Sequence, residues 1–185
     1  MRKVAALILM VLLVGVPVAS AASEWNYRIG EEAPAFRLKS LEGKPMALTD
    51  LRGHFVVVSF MTSWCPFCNA AAPNFEQLNK NYRDKGVKVL IVDIQEVTGP
   101  IGKFVHKHRL TCPVLMDPDG KVAVSYAPPP TIAPDLKREE VMIASFMIID
   151  PEGKIRFLSL NEDMAKFDAK LTTLRARLDQ LLAGN

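Results

Sequence analysis

The sequence contains little cysteine and little histidine, with three residues of each among 185. So few cysteines exclude a fold held together by several disulfides, and their odd number leaves one thiol outside any pair. The formal net charge of +3 is small, which favours neither nucleic acid nor an acidic substrate as a partner. Internal repeats and low-complexity tracts are absent. The 49% hydrophobic and 23% charged residues are ordinary for one globular domain.

The N-terminus has the layout of a secretory signal peptide. Basic Arg2 and Lys3 precede an apolar run over residues 4–18, and Ala19-Ser20-Ala21 forms a small-x-small cleavage site. We predict a signal peptide over residues 1–21 and a mature domain over 22–185. The alternative is an uncleaved membrane anchor, since the run is nearly long enough to span a bilayer. Either way we expect the domain to lie beyond the inner membrane, in the periplasm, where disulfides persist.

The most informative stretch is Cys65-Pro66-Phe67-Cys68. It follows an apolar, β-branched run, Phe55–Met61, which is typical of a central strand covered on both faces. Pro66 suits the first position of a helix, where its missing N–H would have no partner, and Gly86 ends that helix. We therefore predict a strand that leads into a helix over residues 66–85. Pro73 should kink this helix, because it removes a backbone hydrogen bond.

The remaining patterns predict a mixed α/β domain. The run Val87–Ile94 is a second buried strand, so strand, helix and strand form a βαβ unit with a parallel pair. Apolar spacing predicts a helix over residues 100–109 and a final amphipathic helix over 163–182. The other predicted elements are hairpin strands over 35–38 and 46–48, a strand over 113–117, a short helix over 122–126, an exposed proline-rich loop over 127–140, and hairpin strands over 144–150 and 155–160.

The spacing of the two thiols predicts reversible disulfide chemistry. Cys65 should lie at the helix N-terminus, where free N–H groups and the helix dipole favour a thiolate, the species that attacks a disulfide. Cys68 is one helical turn further along the same face, so it can resolve the mixed disulfide that Cys65 forms. The alternative, a zinc half-site, needs two further ligands. His106, His108 and Cys112 lack the spacing for that role, so we expect no metal.

Seven blocks of sequence resemble the TlpA/ResA branch of thioredoxin-fold thiol-disulfide oxidoreductases, and they occur in the same order. The blocks are residues 30–36, 43–53, 58–73, 92–96, 104–108, 112–122 and 146–155. The resemblance implies a thioredoxin-like three-layer α/β/α sandwich with a central mixed sheet and an N-terminal β-hairpin extension. It also implies an enzyme that exchanges a Cys65/Cys68 dithiol or disulfide with protein cysteines, with no cofactor and no nucleic acid.

The resemblance extends to the surroundings of the dithiol and to its partners. Trp64 should be a surface aromatic that helps to dock a client protein. Pro66 and Phe67 occupy the positions that tune redox poise, and Phe67 should be exposed beside the disulfide. The expected partners are protein thiol or disulfide clients and an upstream membrane redox donor or acceptor. If the N-terminal segment is uncleaved, the domain also lies near the membrane.

Three departures from the family pattern concern the support of the dithiol. The cis-proline that usually faces it is replaced by Ile143, unless an insertion has moved that role to Pro130. Two positions that often carry an acid in this fold hold Ser59 and Ala71, so neither offers a carboxylate to the second thiol. Glu96 could come near the dithiol, although its position predicts a role at a helix start.

The third thiol and the histidines have simpler interpretations. Cys112 is expected to be a small buried hydrophobe, and the alternative is a regulatory or intermolecular disulfide. His54, His106 and His108 are expected to lie at the surface or in packing contacts.

Two other functions remain open at this stage. A peroxiredoxin-like thiol peroxidase would use Cys65, and Thr62 is correctly placed for it. However, Val58 stands where that family has proline, and no arginine occupies the position near Ile143. A non-enzymatic metal-handling or binding module is the other alternative, but copper proteins of this fold generally use a Cys-x-x-x-Cys pair, and the spacing here is one residue shorter.

Overall fold

The computed structural model describes residues 28–131, 134–160 and 167–184. The predicted signal peptide lies outside these ranges. The strands are β1 Arg37–Ser40, β2 Pro45–Ala47, β3 Val56–Met61, β4 Lys88–Ile94, β5 Val114–Asp117, β6 Ser145–Ile149 and β7 Ile155–Ser159. The helices are α1 Pro66–Arg83, α2 Thr98–His108, α3 Lys121–Tyr126 and α4 Thr172–Ala183, and two 3₁₀ turns span Leu48–Leu51 and Glu140–Met142.

The seven strands form one mixed sheet in the order β2-β1-β5-β4-β3-β6-β7. The centre is parallel: β3 pairs with β4 from Val56 opposite Lys88 to Met61 opposite Asp93, and β4 pairs with β5. The outermost strands form antiparallel hairpins, β1–β2 beside β5 and β6–β7 beside β3. This topology confirms the predicted parallel pair, the N-terminal hairpin and the central mixed sheet.

Two apolar layers cover the sheet, because side chains alternate between its faces. Val57 and Met61 of β3 pack with α1, α2 and α4 on one face. Val58 and Phe60 pack on the other face with Tyr126 of α3 and with the segment that precedes β1. The arrangement is the predicted three-layer α/β/α sandwich. The carboxyl ends of β3, β4 and β5 lie together on one side of the sheet, which we call its carboxyl edge. Their amino ends lie together on the opposite side, its amino edge.

The predicted last helix begins too early. Residues 167–171 are not helical, and α4 starts at Thr172 after Leu171, whose φ of 57° is left-handed. The Asp168 carboxylate accepts a hydrogen bond from the Thr173 N–H at 2.8 Å and so supplies an acceptor to the first turn. The first four residues of the predicted helix, 163–166, lie outside the described residues. No helix in the described part of the chain combines the length and the apolar content that a membrane span requires.

Candidate active site

The dithiol lies at the carboxyl edge of the sheet, where β3 leads into α1. Cys65 is the N-cap of α1, with extended backbone (φ −69°, ψ 123°), and Pro66 takes the first helical position. The Cys68 N–H donates to the Cys65 Sγ at 3.3 Å, so the sulfur fills the role that a serine or aspartate oxygen fills in most caps. The first turn contains no acidic residue. A Cys65 thiolate is therefore the negative charge at this helix end.

The environments of the two thiols separate their acidities. Donation from the Cys68 S–H, with further donation from the Cys68 and Phe67 N–H groups, lowers the pKa of Cys65 to about 6, although burial opposes this. The same S–H donation, burial and the Cys65 charge raise the pKa of Cys68 far above its usual range. These opposite shifts favour a thiolate at Cys65 and a protonated thiol at Cys68 at neutral pH. The assignment of Cys65 as nucleophile stays a prediction.

A set of hydrogen bonds fixes the loop before the first cysteine. Both carboxylate oxygens of Glu96 accept from Ser63, one from its N–H and the other from its Oγ–H, the latter at 2.6 Å. On the other side of the loop, the Asn69 amide donates to the carbonyls of Ser63 (2.8 Å) and Cys65 (2.9 Å). The backbone that presents Cys65 is therefore held from two directions. Glu96 reaches the site, and its contact with Ser63 was not among the expectations.

The anchoring continues into α2. Lys107 Nζ donates to the Asn69 Oδ1 at 2.9 Å, and His108 Nε2 lies 3.0 Å from the same oxygen. Both side-chain groups of Asn69 are thereby used, and burial lowers the pKa of His108. Sequence reasoning did not identify Asn69. The signal was a polar residue four positions after Cys65, which on a helix faces back toward the cap.

The four supporting residues named from the sequence have different outcomes. Trp64 is 66% exposed, as expected of a surface aromatic. Pro66 and Pro73 are exposed on α1, and the helix runs on through Pro73. The prediction of an exposed Phe67 is wrong: the ring is half-buried and packs edge-on against Phe167, with centroids 5.1 Å apart. Phe167 precedes α4, and its ring covers Phe67 in the first turn of α1.

The structure favours Ile143 over a displaced proline at the position facing the dithiol. The Ala144 backbone lies within hydrogen-bonding reach of the Cys68 sulfur, and its N–H donates to the Phe60 carbonyl at 2.9 Å. No peptide bond among the described residues is cis. Pro130 lines a separate surface cavity with Arg28 and Arg138. Ala144 has φ of 64°, a left-handed conformation that is strained for a residue with a Cβ.

A buried carboxyl does lie near the carboxyl edge of the sheet, although not at the two positions where the fold often carries an acid. Ser59 and Ala71 are buried without a charge, as the sequence indicated. Asp93, at 0% exposure, stands opposite Met61 in the β3–β4 pair. Burial, the Glu96 carboxyl and the Asp117 charge raise the pKa of Asp93 to about 9. Its signal in the sequence was an acid inside the apolar run Val87–Ile94.

Cys112 lies at the opposite edge of the sheet, just before β5 begins. It is buried, as predicted, and it is free in the structure. Burial and the Glu76 charge raise its pKa to about 12. His54 donates from its Nδ1 to the Gly86 carbonyl at 3.0 Å. Within residues 28–131, 134–160 and 167–184, no three His, Cys, Asp or Glu side chains converge in a way that could hold a metal ion.

Comparison with known proteins identifies the family. The model of the AhpC/TSA family matches residues 29–158. The chain belongs to the AhpC/TSA family. It is 31% identical over 134 residues to the thiol-disulfide oxidoreductase ResA of Bacillus thuringiensis (strain Al Hakam), covering 72% of this chain and 70% of that protein. Within the family it is a TlpA/ResA-like redoxin of the thiol-disulfide oxidoreductase class, which confirms the resemblance drawn from the sequence.

Solved structures agree with this fold. A secreted disulfide oxidoreductase of Mycobacterium tuberculosis, homologous to E. coli DsbE, superposes with a TM-score of 0.61 at 25% identity, covering 78% of this chain and 95% of that one. The peroxidoxin BcpB from the same organism superposes with a TM-score of 0.62 at 21% identity, covering 84% and 94%. The second similarity concerns the fold alone, and it carries no argument for peroxidase chemistry.

Proposed function

We propose that this chain is an extracytoplasmic thiol-disulfide oxidoreductase that exchanges the Cys65/Cys68 pair with the cysteines of client proteins. The observation that carries the proposal is the N-cap geometry: Cys65 accepts the Cys68 N–H at 3.3 Å and has a pKa lowered to about 6. This arrangement holds a thiolate at neutral pH and keeps a second thiol one helical turn away. Trp64, exposed beside it, offers an apolar surface to a polypeptide client.

In the reducing direction, the Cys65 thiolate attacks one sulfur of a client disulfide. A mixed disulfide forms, and the other client sulfur leaves as a thiolate that takes a proton from water. Cys68 then loses its proton to solvent, and its sulfur attacks the Cys65 Sγ. The second client sulfur leaves as a thiolate that takes a proton from water, and the Cys65–Cys68 disulfide closes. Two electrons pass to the client, and a membrane dithiol donor restores the pair. The reverse sequence oxidises a client dithiol.

The extracytoplasmic location rests on two observations. The first 21 residues have a signal-peptide pattern, and a similar solved protein is described as secreted. Mass spectrometry of the protein recovered separately from the periplasmic and cytosolic fractions of an expressing bacterium tests the location. Cleavage after Ala21 supports export, and an uncleaved chain in the cytosol contradicts it.

Activity is tested with purified mature protein and two substrates offered separately. Insulin or scrambled ribonuclease reports disulfide exchange, and hydrogen peroxide reports peroxidase activity. We expect exchange without rapid peroxide turnover. Fast peroxide turnover with no exchange would replace this proposal by the peroxidase alternative.

A further inference from the structure

The small net charge of the whole chain hides a local imbalance around α2. Residues 97–116, which include this helix, contain no aspartate and no glutamate. The same stretch carries Lys103, Lys107 and Arg109, and all three side chains are exposed. We call these residues the α2 cations. Lys103 and Lys107 are four positions apart on the helix, so their charges lie on one face and repel each other.

No carboxylate in the described part of the chain compensates the α2 cations. None of the three forms an ion pair there, whereas Lys80 of α1 and Lys121 of α3 each pair with a carboxylate. The first turns of α1, residues 66–75, contain no acid either. An anionic group that binds from outside would therefore relieve the repulsion on this face.

Hydrogen bonds place this positive charge beside the dithiol. Lys107 Nζ donates to the Asn69 Oδ1 at 2.9 Å, and the Asn69 amide donates to the carbonyls of Ser63 (2.8 Å) and Cys65 (2.9 Å). An ammonium has three N–H donors, and this bond uses one of them. Trp64 lies between the two carbonyls and is 66% exposed. An exposed cation and an exposed aromatic ring are thus fixed to the backbone that carries Cys65.

The acids closest to these residues in the hydrogen-bond network have other partners. Both carboxylate oxygens of Glu96 accept from Ser63, on the other side of the loop from Asn69. Glu76, further along α1, is buried and accepts from Thr111 and Lys80. Neither carboxylate pairs with the α2 cations, so the surface beside the dithiol stays positive.

We propose that the α2 cations and Trp64 form a docking surface for client polypeptides that carry acidic side chains beside their reactive cysteines. Client carboxylates pair with Lys103 and Lys107 while an apolar client residue packs on Trp64. This rests on the proposed function, because only an exchange enzyme needs a client surface beside its dithiol. The surface acts on encounter and binding and takes no part in the exchange of sulfur bonds.

The test uses two synthetic peptides, each closed by one disulfide, that differ only in the residues beside their cysteines. These residues are glutamate in one peptide and lysine in the other. The readout is the second-order rate constant for oxidation of the reduced Cys65/Cys68 pair by each peptide. Each value is divided by the rate of the same peptide with dithiothreitol, an uncharged dithiol, which removes the intrinsic difference between the two disulfides.

Three variants locate the effect. Lys103→Glu reverses one of the α2 cations, and Lys107→Gln removes another charge while keeping an N–H donor for Asn69. Lys88→Glu is the matched control, because Lys88 is also exposed and changes the net charge as Lys103→Glu does, but it begins β4 at the amino edge. A preference that depends only on net charge would change equally in Lys103→Glu and Lys88→Glu.

At low ionic strength the wild type should prefer the glutamate peptide about tenfold, and the preference should fall to about twofold in about 0.5 M salt. It should drop about fivefold in Lys103→Glu and about threefold in Lys107→Gln, and Lys88→Glu should keep it within about 1.5-fold of wild type. Equal normalised rates for the two peptides in wild type, or an equal loss in Lys88→Glu, would overturn the proposal.

Two further outcomes separate this inference from the proposed function. A protein that exchanges with both peptides at one rate but binds vesicles of anionic phospholipid would assign the α2 cations to a membrane surface and overturn the client preference alone. A protein that oxidises with neither peptide, although iodoacetamide alkylates its Cys65, would contradict the proposed function and the docking surface together.

Discussion

A buried cysteine and a buried acid lie at the carboxyl edge of the sheet, and another such pair lies at the amino edge. The pKa values of the two pairs are shifted in opposite directions. At the carboxyl edge, the pKa of Cys65 is lowered to about 6 and that of Asp93 is raised to about 9. At the amino edge, the pKa of Cys112 is raised to about 12 and that of Glu76 is lowered. All four side chains are almost entirely buried. Burial alone therefore does not decide which group is charged.

The difference lies in where hydrogen-bond donors point. The thiolate of Cys65 receives the Cys68 S–H and two backbone N–H groups, but Cys112 lies in apolar packing beside a negative charge. Glu76 accepts from the Thr111 N–H and Oγ–H, each at 2.8 Å, and from Lys80, whereas Asp93 has no donor. At the carboxyl edge, donors reach Cys65 but not Asp93, whereas at the amino edge donors reach Glu76. The first edge is built for chemistry and the second for stability.

The largest effect that we expect is on the rate of disulfide exchange when either Cys65 or Cys112 is replaced. Cys65→Ser should abolish exchange with insulin, since no nucleophile remains. Cys112→Ser should keep the exchange rate within about twofold of wild type, because its thiol stays protonated and distant. Steady-state insulin reduction measures both. Full exchange by Cys65→Ser, or its loss in a folded Cys112→Ser, would reverse the assignment.

Neutralising Asp93 should raise the free energy of unfolding, whereas neutralising Glu76 should lower it. The change at Asp93 should be the larger of the two. The native Asp93 carboxyl keeps its proton up to about pH 9, and the ordinary value is 3.8. Between these pH values the native state binds more protons than the unfolded state, so its stability falls as the pH rises. Asp93→Asn removes that loss, and it should stabilise the protein by up to about 4 kcal/mol at pH 7.

Urea unfolding at several pH values measures this gain. It should shrink toward zero as the pH approaches the ordinary value of 3.8, where Asp93 is protonated in both states. A destabilised Asp93→Asn at neutral pH would mean that the carboxyl is charged and satisfied in the native state.

Neutralising Glu76 should instead destabilise the protein. Burial acts to raise the pKa of Glu76, but hydrogen bonds from Thr111 and Lys80 outweigh it and lower the pKa. A lowered pKa contributes stability above the unfolded value, and that contribution is lost as the pH falls through the native value. Glu76→Gln should cost about 1–3 kcal/mol in urea unfolding at pH 7 and almost nothing in strong acid. Equal stability of variant and wild type at pH 7 would contradict this.

The smallest expected effect concerns the hydrogen bond from the Cys68 S–H and its contribution to the lowered pKa of Cys65. Cys68→Ala removes the S–H that donates to the Cys65 thiolate, so the pKa of Cys65 should rise by about one pH unit. Cys68→Ser keeps an O–H donor and should raise the pKa less. The pH dependence of Cys65 alkylation measures both variants. Indistinguishable pKa values in Ala and Ser would show that the helix N–H groups alone lower the pKa.

Local patterns predicted the parts of the molecule that local forces determine. The buried run before Cys65, the proline at position 66 and the apolar run ending at Ile94 each specify their element without reference to distant residues. For that reason the β3–α1–β4 unit and the place of both thiols could be predicted. The same holds for the two hairpins that form the outermost strands of the sheet, where turn residues separate short strands.

What the patterns missed depends on contacts across the sequence. The packing of Phe67 depends on Phe167, one hundred residues later, and the apolar spacing of Phe167 suggested a helix that starts only at Thr172. The raised pKa of Asp93 depends, besides burial, on Glu96, which follows β4, and on Asp117, which ends β5. The anchoring of Asn69 depends on α2. None of these pairs is visible in periodicity, because tertiary packing brings them together.

The most direct test of the account is a titration of the reduced protein followed by the ultraviolet absorbance of its thiolates. We predict one thiolate with a pKa of about 6, assigned to Cys65 by its loss in Cys65→Ser, and no ionisation of Cys112 until about pH 12. A first thiolate that appears only near the ordinary value of 9.0, or one that survives in Cys65→Ser, would contradict the claim that the helix cap makes Cys65 the nucleophile.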